Sequence, residues 1–392
     1  MVLSRTHVDL SALITSLEAR RDLMLEQAMD LIRLETPSAD LVALADGADF
    51  VADLGTRELG VPPERVTVNG RHHLRWRWGS GPPVILVLAH YDTVWPSGTL
   101  DTIPCRLVNG VLRGPGCFDM KVGLVMAFHA LGEVARTRGG MSGVTLLVTS
   151  DEETGSATSR ALIEQEAVGC RATLVLEAAG PAGALKTRRK GAATYRLVVR
   201  GKAAHAGLEP ERGVNAGVEL ARQILEVMKL GDAERGTSVT PTTVVAGTTA
   251  NTVPAYASLE IDVRATSPDE DDRVLDGLRS LKPSVEGATL ELFGGSHRPP
   301  LSHTASAGLF SLAQEVAEQV GLSPLNECAV GGASDGNLTA GVGTPTLDGL
   351  GAVGGGAHAS DEHVLVEHLV DRTALLVGIL HRLLERHDHV VA

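Results

Sequence analysis

Val84–Asp92 reads VILVLAHYD, Val144–Glu153 reads VTLLVTSDEE and Ala172–Glu177 reads ATLVLE. Each is a short run of β-branched and aliphatic residues, the pattern of a strand buried on both faces of a sheet. Each ends on groups able to ligate a metal: His90 and Asp92, then Glu152 and Glu153, then Glu177. In open α/β sheets the ligand site lies beyond the carboxyl ends of the strands. Three such strands would therefore gather polar residues from distant parts of the chain at one edge. A buried cluster of carboxylates repels itself unless it is protonated or neutralised by a cation. A divalent metal is the simplest neutraliser.

A chain of 392 residues is long for one core, so two domains are expected. Hydrophobic residues make up 43% and charged residues 21%, ordinary for a globular protein. Aromatics reach only 3%, so Val, Leu, Ala and Ile must build the core. The net charge of −13 argues against a nucleic-acid backbone as partner. Cys105, Cys117, Cys170 and Cys328 are scattered with no C-x-x-C pair, which fits neither a disulfide framework nor a structural zinc cluster. The first residues, MVLSRTHVDLSALI, lack a basic segment followed by a long apolar run, and no stretch approaches membrane-spanning length. A cytoplasmic location is expected.

Outward from the three runs, helical spacing predicts a helix over Asp9–Leu34, stopped by Thr36-Pro37, and a second over Ala39–Glu58, stopped at Gly60. Arg65–Asn69 and His72–Trp78 alternate on either side of Gly70, which predicts a hairpin. Helices are expected at Val122–Val134 and Ser156–Gln165, between the organising strands. Alternating strands and helices predict an α/β fold, a mostly parallel sheet with helices on both faces. After Gly180 the pattern changes. Strands at Ala193–Arg200, Thr242–Thr249, Ala255–Arg264 and Ala288–Phe293 interleave with helices at Val214–Val227 and Pro268–Leu281. That is the ferredoxin-like order of a small inserted α+β domain. The insert is placed at 187–298, between the 1–186 and 299–392 halves of one larger domain. Further helices are expected at Thr304–Val320 and His363–His387.

Taken singly, His90, Asp119 or Glu177 reads most simply as a cap or a solvated loop residue, and their conjunction carries the weight. His90 and Asp92, two apart at a strand end, can point the same way, and Asp92 can then hold the His90 imidazole in a metal-binding tautomer. Asp119 follows the glycine-rich turn LRGPGCFDM, where the simpler reading is a helix cap. Of Glu152 and Glu153, one can bind metal while the other accepts a proton from water. A nearby cation lowers the pKa of that water, and a carboxylate is a suitable base for it. His358, in GAHASDE, supplies a second imidazole. His and carboxylate donors without a thiolate cage favour zinc, with manganese or cobalt as substitutes.

The ordered set H-x-D (His90–Asp92), G-x-x-D-M-K-x-G (Gly116–Gly123), D-E-E-x-G (Asp151–Gly155), strand-end Glu177 and H-x-S-D-E (His358–Glu362) resembles the co-catalytic zinc aminopeptidase–aminoacylase family. Its branches include glutamate carboxypeptidases, acetylornithine deacetylases and succinyl-diaminopimelate desuccinylases. The resemblance implies two Zn2+ per subunit bridged by Asp119. Glu153 and His358 would complete one site, and His90 and Glu177 the other. Glu152 would be the general base, Asp92 the orienter of His90, and the Asp119–Met120 peptide cis. The insert would be the family's lid and dimerisation domain. His205, in GKAAHAG, would reach the partner's active site and stabilise the oxyanion. Asn251 and Arg264 would contact substrate, and Arg298 would grip its α-carboxylate with a guanidinium fork.

The expected protein is thus a homodimeric di-zinc metallocarboxypeptidase or amidohydrolase acting on a small N-acyl amino acid or peptide. Arg189–Gly191 (RKG) and Val330–Asn337 (VGGASDGN) look closer to the glutamate-carboxypeptidase branch, which favours release of a C-terminal glutamate. Lys186, in KTRRK, is a weaker candidate for an acidic substrate side chain. The nearest rival is an N-acyl-amino-acid deacylase with the same metals. A metal-stabilised binding protein would have no need of Glu152, and a cysteine hydrolase would use Cys117.

Overall fold

The computed structural model describes residues Leu10–Val391, and the expected helix start at Asp9 lies outside them. Two compact units emerge. The first comprises the chain up to Arg188, His303–Val330 and the chain from Ser334; the second comprises Arg189–Ser302 with Gly331–Ala333.

The first unit is built on a six-stranded sheet. Its order is Glu64–Val68, Arg71–Arg77, Val144–Thr149, Ile85–His90, Ala172–Val175, Thr346–Leu347. The last four pair in parallel, and the first two form an antiparallel hairpin at one edge. The hairpin turns through Asn69 and Gly70, both at positive φ (51° and 79°). Two left-handed residues match the right-handed twist of the flanking strands.

All six residues of Ile85–His90 and of Val144–Thr149 are buried. Ile85, Val87, Ala89, Val144, Leu146 and Val148 face the larger core, with Leu124, Phe128 and Leu131 of the helix Val122–Arg138. Leu86, Leu88 and Leu147 point the other way, onto Leu162, Ile163 and Ala167 of the helix Arg160–Ala167 and onto Leu338. Period-2 alternation between two apolar layers explains why these strands read as unbroken aliphatic runs.

Two expectations need correction, and one element had none. The single N-terminal helix is two, Leu10–Glu18 and Arg21–Arg33, broken where Arg20 turns to reach Glu58 and His129. His363 does not begin a helix: His363–Leu365 is a strand paired with Val111–Arg113, and the helix runs Leu369–Val391. The two-residue strand Thr346–Leu347, too short for any pattern, closes the main sheet. The second predicted helix spans Leu41–Leu59, with Asp40 accepting from the N–H groups of Val42 and Ala43 and Gly60 ending it at φ 74°.

The second unit runs strand, helix, strand, strand, helix, strand. Its antiparallel sheet has the order Ser238–Ala246, Tyr256–Ala265, Gly191–Arg200, Thr289–Arg298. Ala193, Tyr195, Leu197, Val199, Leu259 and Ile261 pack one face against the helices Ala216–Met228 and Pro268–Arg279. Among the described residues no helix is long and apolar enough to cross a membrane.

Candidate metal centre

The parallel strands deliver their polar ends to one place. His90 is the last residue of its strand, Glu152 and Glu153 follow Thr149 after two residues, and Glu177 follows Val175 after one. Asp119 arrives on the turn before the helix Val122–Arg138, and its peptide to Met120 is cis. Two glycines make that turn possible. Gly116 sits at φ 72°, and a Cβ on Gly123 would overlap the carbonyl oxygen of Leu176, the residue before Glu177.

Two trios of ligand atoms result: His90, Asp119 and Glu177, and Asp119, Glu153 and His358, the atoms of each lying within 4.8 Å of one another. His90 Nε2 lies 3.3 Å from Asp119 Oδ1 and 3.5 Å from Glu177 Oε1. His358 Nε2 lies 3.3 Å from Asp119 Oδ2 and 3.1 Å from Glu153 Oε2. Asp119 thus presents one oxygen to each trio. His90 Nε2 and Asp119 Oδ1 are buried with no hydrogen-bond partner. Buried polar atoms are ordinarily satisfied, so two orphans facing each other fit a cation between them.

On the far side of the imidazole, His90 Nδ1 is 3.0 Å from the backbone oxygen of Asp92 and 3.4 Å from its carboxylate. The nearer acceptor is therefore the carbonyl, and both favour a proton on Nδ1, which leaves Nε2 as the ligand atom. The Asp92 carboxylate is also occupied elsewhere. It accepts from Ser38 Oγ (2.8 Å) and from the backbone N–H groups of Glu152 (3.2 Å) and Glu153 (3.3 Å). Asp92 therefore holds the glutamate pair as well as the histidine. Ser38 carried no sequence signal, since a lone serine before a helix reads as an ordinary turn residue.

The field at the site is strongly anionic. Burial would lower the pKa of His90, but Asp119, Asp92 and Glu177 outweigh it and raise it well above 6.5. Asp119 and Glu153 raise His358 to about 10. Burial would raise Asp119, yet His358 and His90 hold it well below the usual carboxylate range. Carboxylates that retain protons on two imidazoles in this way would retain a divalent cation in their place, with release of those protons.

The remaining expected residues lie in the second unit. The segments around His205 and Asn251 are adjacent, with His205 bridged to Thr252 and the Ala206 N–H donating to the Asn251 carbonyl at 2.9 Å. Both side chains are exposed. Arg264 donates from Nε and Nη2 to the two carboxylate oxygens of Asp262 on its own strand, each at 3.0 Å. Arg298 is buried at a bulge opposite Ala192. Lys186, in the first unit, is half-buried and bridged to Asp348. Cys117 is fully buried, and burial pushes its thiol well above 9, the opposite of an activated nucleophile.

A profile of Peptidase family M20/M25/M40 matches residues 86–382. The chain is 29% identical over 368 residues to carboxypeptidase G2 of a Pseudomonas species, covering 88% of each chain. It is 29% identical over 328 residues to succinyl-diaminopimelate desuccinylase of Xanthomonas oryzae, covering 78% of this chain and 85% of that one. Its fold superposes on Bacillus subtilis YXEP, described as a dinuclear metal binding peptidase, with a TM-score of 0.65 and 16% identity, over 94% of this chain and 99% of the other. With a donor set that fits metal and a match over most of its length, the chain belongs to Peptidase family M20/M25/M40 and is a hydrolytic enzyme.

Proposed function

We propose that the chain is a di-zinc hydrolase that cleaves an amide bond to release a C-terminal amino acid, glutamate by preference, from an N-acyl or peptidyl substrate. The observation that carries this is the pair of ligand trios sharing Asp119. His90 and Glu177 would hold one Zn2+, Glu153 and His358 the other, and Asp119 both; Mn2+ or Co2+ would substitute. When bound, such ions lower the pKa of water and polarise a carbonyl oxygen.

The protein's own residues do the rest. Glu152, whose backbone is fixed by Asp92, takes a proton from the attacking water and returns it to the leaving amine. Asp92 keeps the His90 imidazole oriented through the chemistry. In the second unit we assign Arg298 to the substrate α-carboxylate and Asn251 and Arg264 to further substrate contacts. Arg264 would have to exchange Asp262 for substrate. His205, supplied by a second copy of the chain, would donate to the oxyanion.

A homodimer through the second unit is supported by its surface. The strand Ser238–Ala246 is a sheet edge with Val244 and Val245 exposed, and the helix Ala216–Met228 exposes Val218, Leu225 and Met228. Unpaired edges and apolar helix faces are sites of chain association. A cytoplasmic location is consistent with four cysteines, none of them in a disulfide.

The second reading, an N-acyl-amino-acid deacylase, is favoured by the desuccinylase relative at equal identity, although the carboxypeptidase match covers more of this chain. One assay separates them. The zinc-loaded protein is offered a single aromatic acyl group on glutamate, alanine, leucine and ornithine, with the N-acetyl form of each. Preference for acyl-glutamate supports the carboxypeptidase reading; preference for acetyl groups, or for apolar or basic leaving residues, replaces it with the deacylase.

A further inference from the structure

Glu362 closes the H-x-S-D-E motif, four residues after His358, and has no role in the chemistry above. Its side chain is buried, and both oxygens are fully engaged. Oε1 accepts from the backbone N–H groups of Phe118 (2.9 Å) and Asp119 (3.0 Å). Oε2 accepts from the backbone N–H of Gly116 (2.9 Å) and the indole N–H of Trp95 (2.8 Å). Four donors converge on two oxygens, which suits an ionised carboxylate and no neutral group, since a protonated oxygen or an amide would turn hydrogen against hydrogen.

The placement of these partners is informative. Three donors belong to the turn that carries Asp119, and the fourth, Trp95, lies three residues after Asp92. The acceptor belongs to the segment that carries His358. An ordinary helix cap is local, reaching two or three residues along the chain. Here the acceptor comes from 243 to 246 residues away in sequence. A local serine or aspartate would have satisfied the same N–H groups, but it would not have tied two ligand-bearing segments together. The His358 segment is itself anchored. The Asp361 carbonyl accepts from Arg113 (3.0 Å), and His363 pairs with Arg113 across the small sheet.

We infer that Glu362 is a positioning residue of the metal centre. It clamps the Asp119 turn to the His358 segment and so fixes the 3.3 Å approach of His358 Nε2 to Asp119 Oδ2. The inference rests on the metal-centre reading above. It requires that loss of the clamp weakens metal binding even where the ligands are untouched, as orienting partners of metal ligands do by about 10–100-fold.

The test is Co2+ binding to the full chain, by competition with a chelating indicator and by the visible Co2+ spectrum, with the thermal midpoint of chelated protein recorded alongside. Glu362→Gln, nearly the same shape, should weaken Co2+ binding about 10-fold or more and alter the spectrum. A role in packing alone predicts neither change. Trp95→Phe, which removes one donor of four, should cost less. If Glu362→Gln does not fold, Glu362→Asp answers the same question, because its shorter carboxylate cannot reach all four donors. Affinity within twofold of wild type with an unchanged spectrum overturns the inference. Asp119→Asn separates the two failures. If it loses Co2+ while the Glu362 variants do not, only the clamp is wrong. If it binds like wild type, or wild type binds no Co2+, the metal-centre reading falls and the clamp with it.

Discussion

Two polar clusters in the first unit have opposite character. Arg20, Gln27, Glu58 and His129 form a closed ring under the helices. Arg20 pairs with Glu58, Gln27 Nε2 donates to Glu58 (2.7 Å), His129 Nε2 donates to Gln27 (2.7 Å), and Arg20 Nε donates to His129 Nδ1 (3.2 Å). One cation meets one anion, and both imidazole nitrogens have a partner. The cluster at the strand ends gathers Asp92, Asp119, Glu153 and Glu177 around two imidazoles and leaves His90 Nε2 and Asp119 Oδ1 orphaned. A balanced, closed network is an internal strut; an anionic, open one is a site for something the chain does not itself supply.

The largest expected effect separates chemistry from metal retention. Glu152→Gln should lower kcat by about 10³-fold while Zn2+ content stays at the wild-type level. Steady-state kinetics with metal analysis checks this, and turnover within tenfold of wild type removes Glu152 as the base. Next, Glu58→Ala opens the closed ring and strands Arg20, which should cost about 3 kcal/mol of unfolding free energy. Metal affinity should not change. Urea denaturation with Co2+ titration would reverse the contrast if the stability held and the metal were lost.

Asp119→Asn should weaken divalent-metal binding by about 100-fold or more, beyond the loss expected of a group that only orients a ligand; Co2+ titration at wild-type affinity would remove Asp119 as the shared donor. The smallest effect is on pH dependence. Burial, with Arg20 and Arg136, lowers His129 from 6.5 to about 4 despite Glu58. A depressed folded-state pKa means the unfolded chain takes up the proton first. The stability contribution is therefore complete above 6.5 and is lost as pH falls towards 4. It should amount to about 2 kcal/mol between pH 7 and pH 5. Chelated wild type and His129→Gln, unfolded in urea at both pH values, should differ in slope by that amount; equal slopes would show that His129 does not titrate in this window.

Legibility followed burial pattern and local geometry. The aliphatic runs at Val84, Val144 and Ala172 marked the parallel strands because both of their faces are apolar. Gly70 between two alternating runs marked the hairpin, and the structure adds Asn69 to the turn, both residues lying at positive φ. The break at Arg20 was hidden, since it serves a side-chain ring formed with residues 38 and 109 positions away. His363–Leu365 and Thr346–Leu347 were hidden because two or three residues hold no period, and their strand character comes wholly from a partner strand. Ser38 was silent, and the contacts of the motif residue Glu362 were unreadable, for a related reason: each acts on backbone or carboxylate groups far along the chain.

The amino-acid sequence by itself determined which donors this protein can offer, because ligand chemistry belongs to residue type. It also determined that strands would carry those donors to one edge, because period-2 burial and a parallel sheet follow from local pattern. Only the tertiary structure decided that Asp119 gives one oxygen to each trio, that Asp92 holds two glutamates as well as a histidine, and that Glu362 spans two ligand segments. Those are distances of about 3 Å between residues tens to hundreds of positions apart, and nothing local encodes them.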